Sequence, residues 1–556
     1  MQAYQDIINV YNKVLSTFNF GLNPEMSFSE KFAIERFHKK YQVPSDASSE
    51  TLHLNCLNEY VSFDNSLHTT RNFTYSKEMY LIRRDLHSAL KLFSLGNYSF
   101  PQGSEYYPTK GLNSVESRLC RSTWSTSYNN FELYAKTVYN DRALRRSAKK
   151  RYVRAIRTKG LYNRRREIDL RLYNKYKSFD DFSYLIFRQK LKLITEFTQG
   201  SRFTTVPKNN EKRRPINIEP FGNILTQSRI GNGIRRVLLD YYNQDLNTLQ
   251  NRHRELISNM CNATIDLKNA SDSISMVLVE FLFPAYFVKL LKSSRSPTVD
   301  VGDGELHVLN KISSMGNGFT FELMTLILTA TCRVLDPTAS VYGDDIIISR
   351  SCAGKLISLL SEMEFVVNEQ KSFIDGPFRE SCGGNFHSEE GYIMSFDFKY
   401  CENIHDCLMA SNKAFFLSHY PSFKRLYKAL IRTLPPALHG GPWSDLLKRG
   451  HGVNNPYNFP DFFITPSYQI KNMSKYKEVQ DSYQLRLDGE IIAFKYVEDL
   501  KSPTLTTLNE SKNWAKLLMY WYANGKSKDF VSGKGRWISY ILVKSGERTL
   551  RLPSIT

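Results

Sequence analysis

Two adjacent acids, Asp344 and Asp345, stand in Tyr342-Gly343-Asp344-Asp345 between two β-prone runs, Ala339 to Tyr342 and Ile346 to Ser349. That pattern predicts a hairpin with both carboxylates at its tip. Gly-Asp is also ordinary turn chemistry, so the tetrapeptide alone supports a turn as readily as a site. A third acid shifts the balance. Ala263-Thr264-Ile265-Asp266-Leu267 reads as a short strand ending in Asp266, followed by a turn and by Asp272-Ser273, which are placed to cap an apolar helix from Ile274 to about Phe283. Such a unit can pair with the hairpin in one sheet. Three converging carboxylates repel one another unless cations sit among them. The chemistry that needs this set is nucleotidyl transfer, in which two divalent ions roughly 4 Å apart activate a 3′-hydroxyl and stabilise the departing pyrophosphate. Asp266, Asp344 and Asp345 are the expected ligands, and their hard oxygens suit two Mg²⁺ ions, with Mn²⁺ as an alternative.

Other residue types fit the same reaction. Ser313-Ser314-Met315-Gly316-Asn317-Gly318-Phe319-Thr320 is a glycine loop opening a long apolar helix that runs to about Val334. Such a loop lets backbone approach a sugar-phosphate, although a plain helix-entry turn explains it equally well when taken alone. Val206 to Ile216 is a dense basic loop in which Lys208, Lys212 and Arg214 supply the clustered donors a triphosphate requires, a solvated loop being the alternative. Lys371 follows an amphipathic helix (Lys355 to Glu364) and a short strand (Phe365 to Asn368). It is a candidate acid for the leaving group, or else a solvated lysine.

These segments must be held by a sizeable scaffold, and 556 residues with 41% hydrophobic and 23% charged content provide one, in two or three domains or one large enzyme with subdomains. Up to about Lys110 the chain is mixed and carries no motif. Arg142 to Lys177 is a helical-looking block with 15 Lys or Arg residues opposed only by Glu167 and Asp169. Its tyrosines (Tyr152, Tyr162, Tyr173, Tyr176) add stacking surface, so Arg164, Arg165 and Arg166 are expected to touch RNA, against the alternative of a solvated helix face. Short apolar segments and sharp turns fill the stretch from Phe203 to about Tyr400. Helices with Pro-rich breaks follow. The formal charge of +20 suits a polyanionic partner. No uncharged apolar stretch approaches the roughly 20 residues of a membrane helix, and the N-terminus lacks a signal-peptide pattern, so a cytoplasmic protein without a membrane partner is expected. The eight cysteines form no Cys-x-x-Cys pair, which argues against structural zinc.

At this density of motifs the middle third resembles the replicase catalytic (beta) subunits of levivirus-type RNA bacteriophages. The resemblance rests on Val206-Pro207-Lys208-Asn209-Asn210 with Arg214 and Ile218-Glu219-Pro220, and on Asp266-Leu267 with Ala270 to Ser275. It rests further on Met315-Gly316-Asn317-Gly318-Phe319-Thr320-Phe321-Glu322-Leu323, on Tyr342 to Ile347, and on Phe378 to Gly383 where the family has its primer-grip hairpin. It covers about residues 200 to 400 and implies an α+β right hand. The N-terminal region and fingers would occupy 1–200, a basic finger loop 201–255, a palm of antiparallel sheet backed by helices 256–400, and a thumb 401–556. It implies an RNA-directed RNA polymerase that uses ribonucleoside triphosphates on an RNA template in the cytoplasm of an infected bacterium. Host elongation factors Tu and Ts, and for some templates a ribosomal small-subunit protein and an RNA chaperone, are the implied partners.

One departure matters. Many related polymerases place an Asn four residues after the glycine-loop Thr, where this chain has Met324, so ribose recognition falls to Asp272 with Ser314, Asn317 or Ser313 as helpers. A reverse transcriptase is the nearest rival, but it needs a bulky aromatic gate after the first acid, and Leu267 to Asp272 contains none. A non-catalytic basic RNA-binding protein is the rival from another class.

Overall fold

The computed structural model describes residues 2–41, 49–67, 75–99, 106–107, 119, 123–159, 179–208, 212–302, 304–402, 404–433, 494–497 and 536–539. Arg164, Arg165 and Arg166 lie outside them. The chain forms two compact units, one of Ala47–Lys208 and Lys212–Gly383, the other of Met1–Asp46, Asn209–Glu211 and Gly384–Thr556.

The first unit is built around a three-stranded antiparallel sheet, with Asp345–Ser349 between Ser340–Tyr342 and Asn262–Ile265. Ile346 and Ile348 lie in one apolar core with Ala263, Ile265 and Val341. β-Branched residues suit such a half-enclosed pleated surface. Behind the sheet runs the helix Thr320–Leu335, whose Leu323, Leu326, Ile327 and Ala330 are wholly buried. Helices Lys77–Ala89, Phe221–Asp240 and Ala353–Glu362 pack against it. Full burial of each large aliphatic side chain contributes about 1.5–3 kcal/mol, which fixes the sheet's back face firmly.

A second sheet has four strands in the order Arg213–Ile218, Ser201–Pro207, Thr298–Gly302, Glu305–Val308. The basic segment expected as a loop is therefore mostly a hairpin, with Val206 opposite Arg214 and Lys208 N–H donating to the Lys212 carbonyl (2.9 Å). Beneath the first sheet the fully buried Arg379 satisfies a set of backbone carbonyls. Its Nε donates to Asn262 O (2.6 Å), and its two Nη groups donate to Phe378, Gly376, Ile374 and Met260. Five donors in a rigid fork suit one guanidinium to this work.

In the second unit, helices Gln2–Thr17 and Phe28–Lys40 share a core with Ile404–Phe416 and Pro421–Thr433, through Tyr11, Phe37, Phe398 and Phe423. The Tyr11 hydroxyl donates to the Cys407 carbonyl (2.7 Å), and Glu30 accepts from Ser422 N–H (3.0 Å). The regions expected from sequence kept the first 46 residues with 47–200 and began the last region at 401. The apolar faces of the two N-terminal helices find their partners between Met394 and Leu430, as an amphipathic helix must bury its stripe somewhere. Among the described residues no helix is long and apolar enough to cross a membrane.

Candidate active site

The acids arrive by short, well-determined local structure. Tyr342 pairs with Asp345 across the hairpin, leaving Gly343 and Asp344 as a two-residue turn. Gly343 has φ +65°, and a Cβ there would meet the Phe321 ring at 2.6 Å, so only glycine fits. Asp344 is exposed at the tip and Asp345 half-buried. On the neighbouring strand Ile346 sits opposite Ile265, which places Asp266 beside the tip. Val366–Val367 pairs with Leu267–Lys268, and the Asn368 N–H donates to the Asp266 carbonyl (2.8 Å). Asn368 Nδ2 then donates to Asp266 Oδ2 at 2.9 Å, and Lys371 Nζ lies 3.1 Å from that oxygen.

The charges feel one another. Although Asp344 reaches solvent at the tip, the protein packed around it strips part of its hydration and raises its pKa; the negative charge of Asp266 raises it further, against the cations of Lys371 and Arg214. Desolvation, then the charge of Asp344, push Asp345 up to about 6. Burial would pull Lys371 down, but the charge of Asp266 and its hydrogen bond outweigh that and hold it above the usual lysine value. Carboxylates that resist joint ionisation are the donor set a divalent cation satisfies. They are not a closed cage as they stand: among the described residues no group of three or more His, Cys, Asp or Glu is disposed to grip a metal. The Lys371 ammonium supplies the counter-charge at Asp266.

Support comes from a residue that sequence reasoning passed over. His253 is wholly buried, with Nδ1 3.0 Å from Ser381 Oγ and Nε2 2.9 Å from Ser340 Oγ, so it ties the hairpin to the strand Phe378–Ser381. Burial, helped by the charge of Arg252, lowers its pKa to about 3.

A second cluster surrounds Asp272. This residue does not cap the following helix; Ser275 does, its Oγ accepting from Leu278 N–H (3.2 Å), and the helix runs Met276–Leu282. Asn269, in the left-handed region at φ +50°, turns the chain so that its carbonyl accepts from Asp272 N–H (2.8 Å), and helical geometry begins only later. Asp272 faces Lys311 instead, at 3.0 Å. Lys311 is fully buried, lies 3.7 Å from Asp64 Oδ1, and sits 3.6 Å from the centre of the Tyr60 ring. Burial alone would strip its proton, but Asp272, Tyr60 and Asp64 together hold its pKa above the usual value. The Tyr60 hydroxyl accepts from Asn217 Nδ2 (2.8 Å) and lies 3.1 Å from Ser314 Oγ.

The glycine loop rests on this cluster. Asn217 N–H donates to the Met315 carbonyl (2.8 Å), and Gly316, at φ +107°, is so close that a Cβ would lie 2.2 Å from the Asn217 carbonyl oxygen. Asn317 Oδ1 accepts from Phe319 N–H (3.0 Å), while Asn317 Nδ2 and Ser313 Oγ are buried with no hydrogen-bond partner. Buried polar atoms of this kind are rare and point toward something that would satisfy them. Lys208, Lys212 and Arg214 are exposed, and Arg214 is near enough for Asp344 to feel its charge. Lys311, Asp64, Tyr60 and His253 had no local signal; only the folded chain brings them together.

Residues 127–401 match the family model described as RNA replicase, beta-chain. Over 203 residues the chain is 43% identical to the RNA-directed RNA polymerase subunit beta of Qbeta virus (strain MX1), covering 35% of this chain and 34% of that one. Over 282 residues it is 32% identical to the RNA-directed RNA polymerase beta chain of Escherichia phage MS2, covering 48% of this chain and 51% of that one. The matched segments thus span about a third to a half of the length of these relatives. The RNA-dependent RNA polymerase from bacteriophage phi12 superposes with a TM-score of 0.40 at 12% identity, over 77% of this chain and 76% of that one. Asp266, Asp272, Asp344, Asp345 and the glycine loop all lie within the segment 127–401 that matches the RNA replicase, beta-chain family model.

Proposed function

We propose that this chain is an RNA-directed RNA polymerase that replicates the single-stranded RNA genome of a bacteriophage from ribonucleoside triphosphates. One observation carries the reading: Asp266 lies beside Asp344 and Asp345 on adjacent strands, with Lys371 and Arg214 acting on the same charges. The unit around that sheet is read as the palm of a right hand, the basic hairpin as part of its fingers, and the helices after residue 401 as its thumb. Its place of action is the cytoplasm of the infected bacterium. Elongation factors Tu and Ts, a ribosomal small-subunit protein and an RNA chaperone are partners suggested by kinship.

Each side chain has a task in this reading. Asp266, Asp344 and Asp345 would hold two Mg²⁺, which when bound supply Lewis acidity to the attacking hydroxyl and the leaving phosphate. Lys371 keeps its proton at neutral pH and can donate it to the pyrophosphate oxygen. Lys208, Lys212 and Arg214 draw in the triphosphate by charge. Asp272 accepts from the ribose 2′-hydroxyl, with Ser314, Gly316 and Asn317 shaping the opening around it.

The test is templated incorporation by the purified chain, with and without bacterial extract, offering ribo- or deoxynucleotides. Asp344→Asn is expected to reduce incorporation by at least a thousandfold while RNA binding persists. Retained polymerisation by that variant would remove Asp344 from the site, and preference for deoxynucleotides would favour a reverse transcriptase. RNA binding with no synthesis under any condition would leave only a binding protein.

A further inference from the structure

Lys311 contributes a full charge to the interior without reaching solvent, and its surroundings give that charge a direction. It stands between two carboxylates, 3.0 Å from Asp272 Oδ1 and 3.7 Å from Asp64 Oδ1, over the face of Tyr60. Asp64 is anchored from its other side by His307 Nε2 (2.8 Å) and by the Asn310 N–H (3.0 Å). The helix Ser49–Ser66 therefore carries two of the groups that fix where the Lys311 ammonium points. Asp272 has one oxygen committed to that ammonium, and its side chain keeps 11% of its surface in solvent. Tyr60 couples the same cation to the glycine loop through Ser314, where Ser313 Oγ and Asn317 Nδ2 wait unpartnered.

Resting on the reading of Asp272 as the ribose acceptor, we propose that Lys311 is a positioning residue for sugar discrimination. Clamped by Asp64 and Tyr60, it holds the Asp272 carboxylate oriented toward the 2′-hydroxyl. The buried cation fixes Asp272 from behind. A charge-assisted contact of fixed geometry discriminates between hydroxyl and hydrogen better than a mobile one, because the carboxylate stays aimed whether or not the hydroxyl is there.

The experiment compares kcat/KM for a ribonucleotide and its 2′-deoxy counterpart on one RNA template, using the full chain. Lys311→Met is expected to lower the ribo-to-deoxy ratio at least tenfold, chiefly by raising KM for the ribonucleotide while the deoxynucleotide KM stays put. Lys311→Met combined with Asp64→Asn removes a cation and an anion together, so the interior is left with less unbalanced charge, and it should show the same loss of discrimination. In an Asp272→Asn background, Lys311→Met should change the ratio no further. Equal loss for both sugars in either Lys311 variant, at an unchanged ratio, would make Lys311 a purely structural residue and overturn the inference. An additive effect on top of Asp272→Asn would also overturn it. Absence of any templated ribonucleotide incorporation by the unsubstituted chain would instead bring down the polymerase reading and this inference with it.

Discussion

Lys371 Nζ and Asp266 Oδ2 lie 3.1 Å apart, next to the hairpin tip that carries Asp344 and Asp345. A half-exposed lysine at that spot is the counter-charge of Asp266 and, in the proposed reading, the proton source. Lys371→Met should therefore reduce kcat by about a hundredfold, the usual scale for a lost general acid, with little change in RNA affinity. Single-turnover kinetics decide the matter: an unchanged chemical step would return Lys371 to the role of a plain ion-pair partner.

Asp345 is an acid whose pKa rises to about 6 in the folded chain, from an unfolded value near 4. A raised acid contributes stability below the unfolded value and loses it as pH climbs through the folded one, so the metal-free protein should weaken between about pH 4 and 6. Asp345→Asn should flatten that slope and stabilise the metal-free chain at pH 7 by about 1–2 kcal/mol, while depressing synthesis. Thermal melts in chelator across that range test it. A variant less stable than the parent at pH 7 would contradict the charge crowding described here.

His253 has the opposite lever. Buried neutral between Ser381 and Ser340, it titrates near 3 when folded against about 6.5 when unfolded, so the unfolded chain binds the extra proton in between. Stability should fall as pH drops from about 6.5 toward 3, by up to about 1.4 kcal/mol per pH unit from this group alone. His253→Gln should lower stability at pH 7 and make the acid limb shallower. An acid limb of unchanged steepness in denaturant titrations would assign the effect to other groups.

Gly316→Ala places a methyl group 2.2 Å from the Asn217 carbonyl in a backbone region that L-residues avoid. A cost on the order of 1–3 kcal/mol is expected, with the loop lifted off the strand Arg213–Ile218 and KM for nucleotide raised several-fold. Calorimetry and steady-state kinetics on the one variant report both, and wild-type values for both would refute the close contact.

What could be read in the sequence was what depends on near neighbours. The hairpin at Gly343-Asp344, the strand before Asp266 and the helix after Thr320 all follow from short periodicities and one turn glycine. The helix start beyond Asp272 was misplaced because a cap is chosen by where the backbone enters helical geometry, and Asn269 delays that to Ser275. The basic segment concealed a hairpin because Arg213-Arg214-Pro215 masks the alternation of its second strand. Nothing local marks Lys311 or Asp64: a single lysine after Leu309-Asn310 and an aspartate in a helix become partners only through tertiary packing.

Arg379 brings its own timetable. The strands that carry Asp266, Asp344 and Asp345 are complete once synthesis has passed residue 349, yet the guanidinium that gathers the Met260 and Asn262 carbonyls is added only when the ribosome reaches residue 379. Until that codon is read, the growing chain carries all three acids and lacks the clasp beneath them: the sheet is closed from below only by a residue thirty positions beyond its last strand.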